Sequence, residues 1–152
     1  MSRRERAASS TLTGAARRTI VEHVEAAYPL EACGALVGDA ARIRRAVPLP
    51  NAAGRPESAF RIDPSALAGL CGPEPDGNAE VTGFYHSHPD APPTPSRRDR
   101  ESAWRGYGRL IVSVWAGKAD PSRLWRFDRG RDGPPRGPVG AGGVRRTSRP
   151  EA

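Results

Sequence analysis

Residues 83–99 read G-F-Y-H-S-H-P-D-A-P-P-T-P-S-R-R-D, an apolar run followed by a proline-rich one. The apolar run predicts a strand, and side chains two residues apart on a strand point to the same face. His86 and His88 can therefore approach one ion together. Zinc is bound by His nitrogen and carboxylate oxygen, and a catalytic site typically has three protein ligands and an open position for water. His86, His88 and Asp99 would supply such a set.

The same residues also have a purely structural interpretation. A histidine is most often an ordinary surface or core residue. Ser96, followed three residues later by Asp99, is typical of a capping box at the start of a helix. The two interpretations of the serine and the aspartate are compatible, because a helix cap can also fix the direction in which Asp99 points.

The order of these residues resembles the signature of the JAMM (MPN-plus) zinc metalloproteases. His-Ser-His-Pro from His86, then Ser96 and Asp99, match that signature in residue type and spacing. The family pattern also has a glutamate before a Gly-rich apolar strand. Residues 28–38, Y-P-L-E-A-C-G-A-L-V-G, are similar to this element, with Glu31 as the matching acid.

The resemblance implies an α/β fold: a single JAMM/MPN (cytidine-deaminase-like) domain with a curved, mostly antiparallel sheet flanked by helices and the metal at one edge. It implies that His86, His88 and Asp99 bind Zn²⁺ and that Glu31 is the general base for the attacking water. Ser96 would donate a hydrogen bond to the tetrahedral oxyanion.

The resemblance also implies the reaction, a zinc-dependent metallopeptidase or isopeptidase activity. The expected substrate is the amide bond after the C-terminal diglycine of a small ubiquitin-like sulfur-carrier protein, as in similar free-standing bacterial enzymes. A noncatalytic scaffold or binding module of the same fold is the alternative, and the complete set of motif residues argues against it. No G-x-S-x-G elbow of a serine hydrolase and no P-C-x-x-C of a zinc deaminase is present.

The formal net charge of +7 lies mainly in the two ends of the chain. Residues 1–12 hold three Arg and one Glu, a net of +2, and residues 129–152 hold six Arg, one Asp and one Glu, a net of +4, which leaves +1 for 13–128. Neither end has an aromatic residue that could stack on a base. Nucleic acid is therefore not an expected main partner, although the Arg-rich ends could add such an activity.

The length of 152 residues suits one domain. We expect a disordered N-terminal arm at 1–11, the metalloprotease domain at 12–128 and a disordered Gly/Pro/Arg-rich tail at 129–152. No signal-peptide core and no membrane-spanning segment is present, and two cysteines without a C-x-x-C motif do not suggest a disulfide framework. The expected location is the cytoplasm, and no membrane partner is expected. The sequence does not determine the oligomeric state.

The remaining patterns predict the elements around the central stretch. Strands are predicted at 32–37, 42–47, 58–62, 80–88, 110–115 and 122–127. Helices are predicted at 12–27, 64–70 and 96–104. Loops are predicted at 71–78 and at 117–121. His23, beside the apolar stripe of the first helix, is interpreted as a surface or packing residue, and Ser87 as a support for a turn between the histidines.

Overall fold

The computed structural model describes residues 5–7, 10–39, 41–70 and 80–127. Among these residues lie seven strands and three helices. The strands are β1 Glu5–Ala7, β2 Thr11–Leu12, β3 Cys33–Gly38, β4 Arg42–Leu49, β5 Glu80–Pro89, β6 Gly108–Trp115 and β7 Lys118–Phe127. The helices are α1 Gly14–Ala27, α2 Pro64–Leu70 and α3 Arg97–Ser102.

The strands form one sheet in the order β1-β7-β6-β5-β3-β4-β2. The β2–β4 and β5–β6 pairs are parallel, and the other four pairs are antiparallel. The predicted α/β domain with a mostly antiparallel sheet is therefore confirmed. Strand β5 occupies the middle of the sheet, so both of its edges are hydrogen-bonded to neighbours.

Helix α1 covers one face of the sheet through a buried stripe at intervals of four residues, Ala16, Ile20 and Val24. Thr13 caps the helix by accepting a hydrogen bond from the Ala16 N–H at 3.2 Å. The helix begins later than predicted because Thr11–Leu12 pair with β4 instead. The opposite face carries a second apolar cluster, which includes Leu67 of α2.

The predicted strands at 32–37 and 42–47 are confirmed as β3 and β4, which pair as an antiparallel hairpin. All six residues of β3 are buried, which agrees with its apolar sequence. In the turn, the Asp39 carboxylate accepts hydrogen bonds from the N–H groups of Ala41 and Arg42, both at 2.9 Å. Gly34 must be a glycine, because a Cβ there would overlap the ring of Tyr85 and the carbonyl of Val47.

The predicted third strand at 58–62 is wrong. Residues 56–58 form a turn and 59–62 have no regular structure. Ala59 and Ile62 are buried, but the backbone bonds of this segment go to the loop after β4, where the Ala52 N–H donates to the Arg61 carbonyl at 2.8 Å. Apolar spacing identified the buried residues here but not the backbone conformation.

Two further expectations need correction at the outer strands. Glu5–Ala7 and Thr11 form strands, so the prediction of a disordered arm is wrong for them. The predicted turn at 117–121 is too long, because the chain reverses at Ala116 and Gly117, with φ of 51° and 89°, and β7 already begins at Lys118. The predicted loop at 71–78 and the predicted tail at 129–152 lie outside the described residues.

In the part of the chain that the structure describes, no helix has the length and apolar character needed to cross a bilayer.

Candidate metal centre

Strand β5 carries the two histidines on the face of the sheet away from α1. Tyr85 packs into the core beneath α1, whereas Phe84 packs into the cluster on the opposite face. His86 and His88 share the face of Phe84, as the alternation along the strand predicts. His86 is fully buried and His88 is 9% exposed.

Helix α3 brings Asp99 to the histidines by means of a complete capping box. The Ser96 Oγ accepts a hydrogen bond from the Asp99 N–H at 3.0 Å, and the Ser96 N–H donates to Asp99 Oδ2 at 2.9 Å. The structural interpretation of this pair is therefore confirmed. It also orients Asp99, which is 4% exposed and points toward β5.

Potential ligand atoms from these three residues converge. His86 Nε2 lies 3.2 Å from Asp99 Oδ1, His88 Nε2 lies 3.1 Å from Asp99 Oδ2, and the two Nε2 atoms are 3.2 Å apart. Two ligands of a tetrahedral zinc ion, each at about 2.0–2.1 Å, lie about 3.3 Å from each other. The buried set His86, His88 and Asp99 therefore fits one divalent ion in both chemistry and spacing.

The position of this cluster corrects one expectation. The metal was expected at one edge of the sheet, but His86 and His88 lie at the C-terminal end of β5, the central strand. A central strand is held on both sides by backbone hydrogen bonds, so it provides a more rigid support for ligands than an edge strand would.

The two histidine rings are oriented in different ways. The His88 Nδ1–H donates to the Pro92 carbonyl at 2.8 Å, which assigns the tautomer and leaves Nε2 to face the cluster. The Nδ1 of His86 is buried and has no hydrogen-bond partner among the described residues. Its ring instead stacks on Phe60, with centroids 4.2 Å apart and an angle of 20° between the planes.

The proline-rich loop between β5 and α3 is anchored by its carbonyl groups. The carbonyls of residues 91–93 each accept one side-chain hydrogen bond. Ser113 Oγ donates to the first at 2.6 Å, His88 to the second, and Trp125 Nε1 to the third at 2.9 Å. These bonds, together with the restricted φ of proline, hold the segment that leads to Ser96 and Asp99 in one conformation.

Glu31 lies beside the cluster because of the pairing between β3 and β5. The Ser87 N–H donates to the Ala32 carbonyl at 3.0 Å, and the Ala32 N–H donates to Ser87 Oγ at 2.8 Å. Glu31 immediately precedes Ala32, and its side chain interacts electrostatically with His88. Ser87 therefore does not support a turn, since the strand is continuous there; it ties down the backbone next to Glu31.

The pKa of Glu31 suits a general base. Burial raises its pKa to about 7, with a further increase from Asp99, while His88 and Arg98 act in the opposite direction. A carboxylate with a pKa near neutrality can both accept and return a proton at physiological pH.

Three further pKa shifts occur at the site, and those of Asp99 and His86 favour metal binding. For His88, burial lowers the pKa, but its hydrogen bonds to Asp99 and the Pro92 carbonyl outweigh this effect and raise it. Burial raises the pKa of Asp99, but the two histidines and the Ser96 N–H outweigh this effect and hold the pKa well below its usual range. Burial lowers the pKa of His86 to about 4. Near pH 7 the carboxylate is therefore anionic and His86 is neutral, which are the states that metal ligands require.

Ser96 can serve as a donor as well as a cap. Its side-chain oxygen only accepts in the capping box, so the hydroxyl proton is not used by that bond, and the residue is exposed. His23, by contrast, lies on the other face of the sheet, where its Nδ1 is 2.6 Å from the Tyr85 hydroxyl. Its interpretation as a packing residue agrees with this position.

Sequence reasoning missed two residues at the site, Phe60 and Asn51. Phe60 was placed on the predicted strand at 58–62, which the structure does not contain, and Asn51 belongs to no predicted element. Neither belongs to a motif with regular spacing. The available signals were weak: an asparagine directly after Pro50, and a lone aromatic residue in a polar segment.

Comparison with known proteins agrees with the geometry. A family described as the prokaryotic homologs of the JAB domain matches residues 14–128. A desampylase from Haloferax volcanii is 34% identical over 122 residues, which cover 70% of this chain and 88% of the relative. A probable TtuB-protein conjugate cleaving protease from Thermus thermophilus is 38% identical over 85 residues, 55% of this chain and 56% of that protein.

A solved structure supports the fold. The crystal structure of a JAB1/MPN domain protein from Archaeoglobus fulgidus aligns over 82% of this chain and 93% of its own, with a TM-score of 0.51 and 19% identity. The sheet and helices described above therefore form a JAB/MPN fold.

Proposed function

The chain belongs to the prokaryotic homologs of the JAB domain, and on that premise we propose that it is a zinc-dependent metallopeptidase or isopeptidase of the JAMM type. One observation carries the proposal: the buried donor atoms of His86, His88 and Asp99 converge beside Glu31, whose raised pKa suits a general base. A noncatalytic scaffold has no need for this combination.

His86, His88 and Asp99 would hold the zinc ion. When bound, the ion supplies Lewis-acid chemistry: it polarises a carbonyl and lowers the pKa of a water ligand from ~15.7 to about 7. The capping box keeps Asp99 in place, and the Pro92 carbonyl keeps the ring of His88 in the tautomer that presents Nε2.

Glu31 would move the proton during the reaction. Its carboxylate takes a proton from the attacking water and returns it to the leaving amine. Its electrostatic interaction with His88 and its pKa of about 7 support this role. The Ser96 hydroxyl, on the exposed side of the capping box, would donate to the oxygen that becomes negative in the tetrahedral state.

The proposed substrate is a conjugate of a small ubiquitin-like, sulfur-carrier type protein, cut after its C-terminal diglycine. Support comes from the relatives, one named a desampylase and the other a protease that cleaves TtuB-protein conjugates. We place the enzyme in the cytoplasm, which suits the free, buried thiol of Cys33.

The test combines metal analysis with cleavage of a small ubiquitin-like protein fused through its diglycine to a reporter protein. The purified chain should contain about one zinc per molecule, and a chelator should stop cleavage until zinc is restored. Glu31→Gln should keep the metal and reduce kcat by about 10²–10⁴. Glu22→Gln, on the exposed side of α1, is the matched control and should cleave normally. Cleavage that survives chelation would refute the proposal.

A further inference from the structure

The side-chain amide of Asn51 uses all of its hydrogen-bonding capacity. Its Nδ2 donates to the carbonyls of Glu31 at 2.9 Å and Ala59 at 3.0 Å. Its Oδ1 accepts from the N–H groups of Ala53 at 3.0 Å and Arg61 at 3.1 Å. An asparagine offers two N–H donors and two lone pairs, so all four are satisfied. The amide therefore has one defined orientation.

On one side, Asn51 fixes the backbone at Glu31. The Glu31 N–H donates to the Pro56 carbonyl at 2.7 Å, and its carbonyl accepts from Asn51. The next N–H, of Ala32, donates to Ser87 on β5. Glu31 precedes β3, so these bonds take the place of the regular hydrogen bonds of the sheet. They hold the backbone that orients the Glu31 carboxylate.

On the other side, Asn51 fixes Phe60. The carbonyl of Ala59 and the N–H of Arg61 belong to the residues immediately before and after Phe60, and both bind the same amide. The ring held in this way stacks on His86, whose Nδ1 has no hydrogen-bond partner in the described part of the chain. Stacking on Phe60 thus takes the orienting role that the Pro92 carbonyl has for His88.

We propose that Asn51 is a positioning residue that sets the general base Glu31 and the ligand His86 relative to each other. It acts on Glu31 through the backbone carbonyl and on His86 through Phe60. The role of Glu31 in this inference rests on the proposed function. Residues that orient metal ligands typically change metal affinity or activity about 10–100-fold when they are replaced.

The test uses Asn51→Ala and the milder Asn51→Ser, stripped of metal and titrated with Co²⁺ as a spectroscopic probe. Both variants should bind Co²⁺ about 10–100-fold more weakly, with an altered visible absorption band. With zinc and a diglycine fusion, kcat should fall by a similar factor while KM changes less than about twofold, and the acid side of the pH profile should shift.

Thr13→Ala is the matched control for lost stability. It removes the hydrogen bonds that Thr13 makes with the Ala16 N–H and the Arg44 carbonyl, on the α1 side of the sheet. This variant should lower the melting temperature but leave the Co²⁺ spectrum and the pH profile unchanged. If the Asn51 variants behave in the same way as Thr13→Ala, Asn51 only stabilises the fold and the proposal is wrong.

A second pair of variants tests the part of the proposal in which Asn51 acts on His86 through Phe60, and it does so even if the Asn51 variants do not fold. Phe60→Leu should weaken Co²⁺ binding about 10-fold or more. Phe60→Tyr, which keeps an aromatic ring against His86, should bind Co²⁺ as tightly as the wild type. Binding in Phe60→Leu equal to that of the wild type would overturn the inference. Because Co²⁺ binding needs no substrate, a wild-type chain that cleaves no diglycine fusion would refute the proposed function and the role of Glu31, but not the positioning of His86 by Asn51 and Phe60.

Discussion

Ser96 offers the sharpest test of the site. Its role as a helix cap and its proposed hydrogen bond to the oxyanion can be separated by different substitutions. In the capping box, Ser96 Oγ accepts from the Asp99 N–H at 3.0 Å. Replacing such a cap by Ala costs about 1 kcal/mol of folding stability, and replacing it by Gly costs only a few tenths. Both changes remove the hydroxyl donor, which should cost ~3 kcal/mol of transition-state stabilisation, or about 10²–10³ in kcat.

Ser96→Ala and Ser96→Gly should therefore differ in stability but not in catalysis. The melting temperature should fall by about 2–8 °C in the Ala variant and by about 1 °C in the Gly variant. Zinc affinity should change less than about 10-fold in both, since the backbone N–H of residue 96 still donates to Asp99 Oδ2. Ser96→Thr, which keeps the hydroxyl, should retain most of the kcat.

The measurements are thermal unfolding, zinc titration of the stripped protein, and kcat and KM on a diglycine fusion. A Gly variant with the kcat of the wild type would show that Ser96 is only a helix cap. A large loss of zinc affinity in either variant would show that Ser96 acts through Asp99 and not on the substrate.

Three further outcomes follow from other parts of the structure. Burial raises the pKa of Glu31 to about 7, and the base form is the active one, so kcat/KM should rise with pH. The midpoint should lie at or below about 7, because a bound cation lowers that pKa. Glu31→Gln should remove this dependence. Gly34→Ala should lower the free energy of unfolding in urea by about 1–3 kcal/mol, because the new Cβ meets the ring of Tyr85, whereas Gly54→Ala, with no atom within 4 Å, should be nearly neutral. Trp125→Phe leaves one carbonyl of the proline-rich loop without its donor and should cost about 1 kcal/mol, measured in the same unfolding assay.

Local spacing made the cluster of His86, His88 and Asp99 predictable. His86 and His88 share a strand face, and Ser96 and Asp99 share one helical turn, so each pair is arranged by short-range geometry. Glu31 is different, because 55 residues separate it from His86. Its assignment came from resemblance to a family, and the hydrogen bonds between Ala32 and Ser87 explain why it lies beside the histidines.

Prolines misled the prediction of strand ends. Asp120-Pro121 was interpreted as a turn, yet β7 runs through it. At that point the pairing of β7 with β6 is irregular, between Ala119 and Ser122, and β1 pairs only with residues 125–127. A proline that needs no hydrogen bond on its outer side is tolerated on an edge. The length of β1 could not be derived from the local sequence, so the presence of a proline within β7 could not be predicted either.

The amide of Asn51 was beyond sequence reasoning for a related reason. Its four hydrogen bonds join residues 2, 8, 10 and 20 positions away. No period of a helix or strand produces such a set. These bonds exist only because the loop after β4 folds back over the end of the sheet, and that depends on the whole domain.

The central claim is that His86, His88 and Asp99 bind one divalent ion, and titration of the metal-stripped chain with Zn²⁺ tests it most directly. The account predicts one ion bound per chain, and in Asp99→Ala an affinity lower by at least about 100-fold. A wild-type chain that binds no zinc, or an Asp99→Ala variant that binds it as tightly as the wild type, would contradict the account.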